Sequence, residues 1–320
     1  MKRHPIVYLI VRRLLVFCVM LVGLSFLVFS LLYISPGNAV DTLLGFNPRS
    51  PETVKLLTHE YHLDKPFFTQ YWLWARGALH LHFGTSIQAS LPVSYEIKSH
   101  LPPSLYLGLY AFVLTMTFGI GAGVVSALRR RTSIDRGIVA VAIIGLSTPA
   151  FVGGVLLLYL FAVVIPWFPA FGAGTGFIDG LWHLTLPAAA LSTAVAAFVV
   201  KHTRAAMTNV LDQDYVTFAK ARGLPRTRIL FLYELRNALI PIVTISAVIL
   251  AGLITGAVLV EVTFSLPGIG GLLVQSANAH DLPLLQGVAL LIGVFIMSAN
   301  LLADLAAILI DPRIRLGRTG

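Results

Sequence analysis

Six stretches of the chain stay apolar long enough to cross, as helix, a hydrocarbon layer of roughly 30 Å. They are Leu14–Ile34, Ser104–Leu128, Gly137–Ile165, Leu184–Val200, Ile240–Val260 and Leu284–Ile310. Polar segments separate them, and this alternation predicts an all-α polytopic membrane protein with six transmembrane helices. The first stretch runs to Ile34 with no Ala-x-Ala cleavage site, so it reads as an anchor and not as a removed signal peptide. In the third, Ser147-Thr148-Pro149 removes a backbone donor, predicting a kink whose freed carbonyls the hydroxyls or neighbouring helices satisfy. Gly119/Gly123 and Gly252/Gly256 have the small-xxx-small spacing that lets helix backbones approach closely in lipid.

The polar segments are unequal. Residues 35–103 form a long loop between the first two spans, set apart from an N-terminal part (1–34) and a core holding the other five spans (104–320). Pro51-Glu52-Thr53 resembles a helix start, and Phe67–Leu81 carries Trp72 and Trp74, so one or two short interfacial helices are expected there. Such a surface suits reception of a binding protein or a lid over the outer mouth.

Composition agrees with burial in lipid: 57% of the 320 residues are hydrophobic and 12% charged, against roughly half and a quarter in soluble domains. The net charge of +9 is distributed by loop rather than by face, which argues against a nucleic-acid partner. With the N-terminus inside, Lys2, Arg3, Arg12, Arg13, Arg129, Arg130, Arg131, Arg136, Lys201, Arg204, Lys220, Arg222, Arg226, Arg228, Arg236, Arg313, Arg315 and Arg318 are all cytoplasmic. Only Arg49, Lys55, Lys65, Arg76 and Lys98 remain outside, so the positive-inside rule puts both termini in the cytoplasm. Cys18, the single cysteine, sits in the first span, reads as a packing residue and excludes an intrachain disulfide.

The most informative polar segment is Asp214–Thr244, which overlaps the cytoplasmic stretch 201–240. Two short amphipathic pieces, Tyr215–Arg222 and Arg226–Asn237, flank Gly223-Leu224-Pro225. Glycine permits a left-handed helix stop and proline restarts a helix at its first turn, so a compact docking knuckle is expected.

No catalytic set emerges. The chain has neither a Walker A sequence nor a His-Glu-x-x-His pair, so any ATP hydrolysis belongs to another polypeptide. Glu261 at the outer end of the fifth span and Asp304 in the sixth, with Asn300 one turn before it, are polar candidates for the pore or for contacts between helices. No intramembrane Lys, Arg or His is expected beside Asp304, which favours polar glue over a proton relay. His59, His62, His80 and His82 read as solvated rather than metal-binding, and no cofactor is implied.

Ordered matches along the chain carry a family resemblance: ISPGNAVDTLLG, PETV, LDKPFFTQYW, FGTS and LPPSL, then RNALIP, EVTFSLPGIGGLL, HDLPLLQG and DPRIR. The chain resembles the first permease subunit of ATP-binding-cassette importers for dipeptides, oligopeptides and nickel. That resemblance implies a type I importer permease in a bacterial cell membrane, in contact with lipid. The implied partners are a sister permease, two ATP-binding subunits, an extracytoplasmic substrate-binding protein and a short-peptide cargo. It also implies that the knuckle is the family's coupling loop, with Tyr215, Ala219, Lys220, Gly223, Leu224, Arg236 and Asn237 as its contact positions. The general consensus Glu-Ala is replaced here by Thr217-Phe218, and Asn38, His82, His280 and Ala307 also depart from the family's usual residues. Nickel, glutathione or haem as cargo, a proton-driven secondary transporter and a membrane scaffold are the alternatives.

Overall fold

The computed structural model describes residues 5–34, 38–44 and 49–310. Lys2, Arg3, Arg313, Arg315, Arg318, the DPRIR segment and the Ser35-Pro36-Gly37 part of the first motif lie outside the described residues.

The long helices form one bundle. Helix α1 (Pro5–Ile34) is followed by three short helices, α2 (Ala39–Leu44), α3 (Pro51–Glu60) and α4 (Phe67–Leu79), and then by α5 (Val93–Leu128). Next come α6 (Ser133–Ser147), α7 (Ala150–Leu158) with its π-helical continuation Tyr159–Val164, and α8 (Gly176–Leu211). The chain ends with α9 (Asp214–Ala221), α10 (Arg226–Arg228) leading into a π-helical segment Ile229–Leu235, α11 (Arg236–Thr263), α12 (Ile269–Asn278) and α13 (Leu282–Ile310). By length and composition, four helices among the described residues can cross a membrane, or five if α6 and α7 form one span. The fifth apolar stretch falls in the 28-residue α11, about 42 Å long at 1.5 Å per residue.

Helices α5 and α8 make the closest seam. A Cβ on Gly119 would lie 2.6 Å from the Val199 Cβ, and one on Gly123 would lie 2.5 Å from the Thr203 Cβ. This pair of glycines therefore serves packing within the chain. Leu107, Ala111, Leu191, Val199, Leu253, Val260 and Phe264 join α5, α8 and α11 into the main core. Both α5 and α8 begin well before the apolar stretches predicted for them. Pro102, Pro103 and Pro187 are accommodated inside helix, and Val93 and Ile97 bury the early turns of α5 against Phe83 and Val288.

The third apolar stretch departs most from expectation. Instead of a kinked helix, α6 and α7 are two half-length helices bent by 105° across Thr148-Pro149. The hydroxyls of Ser147 and Thr148 donate to the carbonyls of Ile143 and Ile144, at 3.0 and 2.9 Å, and the Thr148 N–H also bonds the Ile144 carbonyl at 3.0 Å, so the end of α6 is closed by side chain and backbone together.

Residues 38–44 and 49–92 pack on the C-terminal end of α1. Phe67, Tyr71 and Trp74 of α4 meet Phe26, Phe29 and Tyr33 of α1 at centroid distances between 5.0 and 5.9 Å. The Tyr33 hydroxyl also bonds the Gln70 carbonyl oxygen. Otherwise α1 is largely exposed and leans on α13, and Cys18, expected to pack, is exposed on it.

Candidate functional site

The knuckle is built from one small apolar cluster and one glycine. On α9, Val216 and Ala219 are buried against Ile229, with Val210, Leu224 and Tyr233 around them. Gly223 then adopts φ +73°, its N–H bonds the Lys220 carbonyl at 2.9 Å, and the Leu224 N–H bonds the Ala219 carbonyl at 3.3 Å. Those two bonds are the paired closures of a Schellman stop, which satisfies the last carbonyls of α9. Pro225 stands at the N-cap of α10, one position before the first helical residue.

The second piece is not a free-standing segment ending at Asn237. It runs through the π-helical turns directly into α11, of which Arg236 and Asn237 are the first residues, and the Asn237 amide donates to the Tyr233 carbonyl at 2.7 Å. The knuckle is thereby joined to α11 without an intervening loop. Its outer surface is apolar and basic together. Phe218 is 69% exposed, Phe231 61%, Leu232 51% and Tyr215 39%, and Lys220, Arg222, Arg226 and Arg228 are exposed beside them. Under the knuckle, Glu234 is buried and lines a cavity of about 340 Å³ with Lys220, Leu224 and Arg226.

Two ion pairs fasten the base of the site. Arg130 reaches Asp212 at 2.9 Å; this bond raises the guanidinium above its ordinary pKa and lowers the carboxyl below its own. Deeper in, buried Asp135 accepts from Arg204 Nε and Nη2 at 2.8 and 2.9 Å, Ser126 Oγ at 2.5 Å and the Arg131 N–H at 3.0 Å. One carboxylate thus ties α5, α6 and α8. Sequence reading missed it, although Thr132 followed three residues later by an acid is a helix-start signature.

At the opposite end of the bundle, Glu261 is 1% exposed and its Oε1 accepts from Ser104 Oγ at 2.6 Å. Its Oε2 accepts from the N–H groups of Gly270 and Gly271, at 2.7 and 3.2 Å, at the start of α12. A Cβ on Gly268 would lie 2.3 Å from that oxygen and one on Gly270 would lie 2.5 Å from the Val258 Cα, which accounts for these two glycines of the PGIGG run. Buried Asp281 plays the matching part for α13, accepting from the Leu284 N–H at 3.2 Å and from Ser86 Oγ and the Gln88 N–H at 2.6 and 3.1 Å. Its signal was an acid at an N-cap before Leu-Pro.

Asp304 corrects an expectation. Arg13 of α1 reaches it at 2.6 Å, so a basic partner accompanies it, and the pair fastens α1 to α13. Asn300 is exposed one turn away, and Glu261 belongs to a separate network. The candidate residues therefore form two groups: the knuckle positions come together, whereas Glu261 and Asp304 do not.

Residues 119–316 match the family described as "Binding-protein-dependent transport system inner membrane component", and residues 6–105 match its N-terminal counterpart. The chain belongs to this family. A multi-pass inner membrane protein of bacterial type follows from that membership and from the apolar helices. A putative peptide transport system permease protein of Brucella abortus is 37% identical over 295 residues, covering 91% of this chain and 93% of the relative. The oligopeptide transport system permease protein AppB of Bacillus subtilis is 36% identical, covering 95% and 98%. Among solved structures, an inward-facing MetNI methionine ABC transporter matches with a TM-score of 0.54 at 15% identity, covering 67% of this chain and 96% of the matched one. That likeness concerns the fold. Both relatives are permeases, and the role of this family member is non-catalytic transport.

Proposed function

We propose that this chain is one half of the translocation path of an ATP-binding-cassette importer for short peptides. In this reading α1, α5, the bent α6–α7 pair, α8, α11 and α13 make six crossings with both termini in the cytoplasm, and residues 35–103 lie outside. ATP-hydrolysing subunits dock on the knuckle through Tyr215, Lys220, Gly223, Leu224, Arg236 and Asn237, while Ala219, packed inside against Ile229, holds the docking face in shape. A sister permease completes the path and an external binding protein delivers the cargo.

One observation carries the reading: an apolar and basic surface, exposed on a glycine-stopped knuckle, is continuous with α11. An apolar patch rimmed by charge marks a protein contact. Closure of the ATPases would push this lever, and α11 would tilt against α5 and α8 to alternate access. Glu261 and the Asp304–Arg13 pair serve as fixed ties between helices, with Asn300 as a polar contact on the exposed face of α13. The peptide cargo is supported by the relatives' names. The test is uptake of trialanine by liposomes holding the assembled importer, its binding protein and internal ATP. Uptake that requires ATP and the binding protein is expected; ATP-independent uptake driven by a proton gradient would contradict the reading.

A further inference from the structure

At the end of the bundle that holds Glu261, a cavity of about 680 Å³ opens between the first turns of α5, the Ser265–Gly268 turn, α12 and the segment around Gln88. Its volume falls within the range of about 300–1,000 Å³ usual for small-ligand sites. Three carboxamides line it: Gln275 and Asn278, three apart on one face of α12, and Gln88 from the external segment. All three are exposed and hold no side-chain hydrogen bond among the described residues. His100 faces the same space. Its Nδ1 lies 2.8 Å from the Glu96 carbonyl and donates to it, which leaves Nε2 as the free polar atom of the ring.

The chemistry of this lining is selective. A carboxamide both donates and accepts, so three of them match the alternating N–H and C=O groups of a peptide backbone whatever its side chains. No lysine or arginine is among the lining residues, and the Glu261 carboxylate, locked by Ser104 and two backbone amides, leaves one wall negative. That field favours an ammonium group over a carboxylate. The floor is also held in place, because Glu261 anchors the start of α12 and Asp281 anchors both α13 and the backbone of Gln88.

We propose that this cavity receives the incoming cargo as an extended peptide with a free amino terminus, read through its backbone by Gln88, Gln275, Asn278 and His100. The proposal rests on the peptide-importer reading and on its outer placement of this end. Three extended residues span about 10 Å, so a tripeptide can engage α12 and Gln88 together.

The test uses the assembled importer in liposomes with its binding protein. Replacing Gln275→Leu and Asn278→Leu together, both on the exposed face of α12, removes the amides without disturbing buried contacts. Uptake of trialanine, trilysine and triglutamate is expected to fall alike, by about tenfold for two lost hydrogen bonds. ATP hydrolysis stimulated by the binding protein should stay at the unmodified level. Unchanged uptake overturns the proposal, as does a loss confined to one of the three peptides. A parallel fall of uptake and stimulated hydrolysis also overturns it, because the surface would then receive the binding protein itself. An unmodified complex that takes up none of the three peptides rejects the peptide-importer reading instead, so the two failures are distinguishable.

Discussion

Glu261 and Asp281 each accept three hydrogen bonds at one end of the bundle, the first from Ser104, Gly270 and Gly271 and the second from Ser86, Gln88 and Leu284. At the other end the buried polar tie, Asp135 with Arg204 and Ser126, lies at the base, and the knuckle above it is held differently: Val216, Ala219 and Ile229 pack together, two backbone bonds close at Gly223, and four large apolar side chains stay exposed. The difference sets an end where buried polar bonds fix the helices beside one whose apolar side chains stay exposed for the docking proposed above. Polar ties fail all at once when one member is lost, since every stranded buried donor costs its desolvation. A small apolar cluster loses stability gradually, and its missing area can be supplied by another subunit.

The largest effect should come from breaking the polar end. Glu261→Ala strands the Ser104 hydroxyl and the N–H groups of Gly270 and Gly271, each worth about 1–3 kcal/mol when left unpaired. A marked drop in the thermal midpoint of the purified protein in detergent is the expected outcome. A midpoint equal to that of the unmodified protein would show that the network holds nothing.

A smaller effect is expected at Gly223. No atom lies within 4 Å of the position a Cβ would take, so Gly223→Val meets only the backbone penalty of the left-handed conformation, about 1–2 kcal/mol. The chain should insert normally while stimulated ATP hydrolysis falls, and Gly223→Asn should restore most of it because asparagine tolerates that conformation. Equal activity of the valine and glycine forms would separate the turn from coupling.

The Asp304–Arg13 pair should matter least for stability. It is partly exposed, and pairs of this kind contribute about 0–1 kcal/mol. Asp304→Asn keeps a hydrogen-bonding shape and should transport better than Asp304→Leu. Complete loss in both variants, with assembly intact, would point to a role for the charge itself.

How much was legible in the chain depends on the range of the signal. Apolar length located the long helices, and glycine two residues before proline located the knuckle's stop, because both signals act over a few neighbouring residues. Pro149 marked the break in the third stretch but said nothing about an angle of 105°, which depends on what the two halves pack against. Ser104 and Glu261 are 157 residues apart and Ser86 and Asp281 are 195 apart, so no local pattern joins them. Arg13 looked like one more cytoplasmic charge until α1 was seen lying along α13. Glu234 carried no signal either; it is enclosed where the π-helical turns come against the ends of α5 and α8, at Ala127, Leu128 and Leu211.

The central claim is that the exposed face of the knuckle is where ATP-hydrolysing subunits attach. Recovery of those subunits with the purified chain measures it directly, comparing the unmodified protein with a Phe218→Ala, Phe231→Ala variant. Both side chains are more than half exposed, so their removal should leave the fold and membrane insertion as they are. The account predicts that the unmodified chain brings the ATPase subunits down and that the variant, present in equal amount, brings down far less. Undiminished recovery with the variant would contradict it.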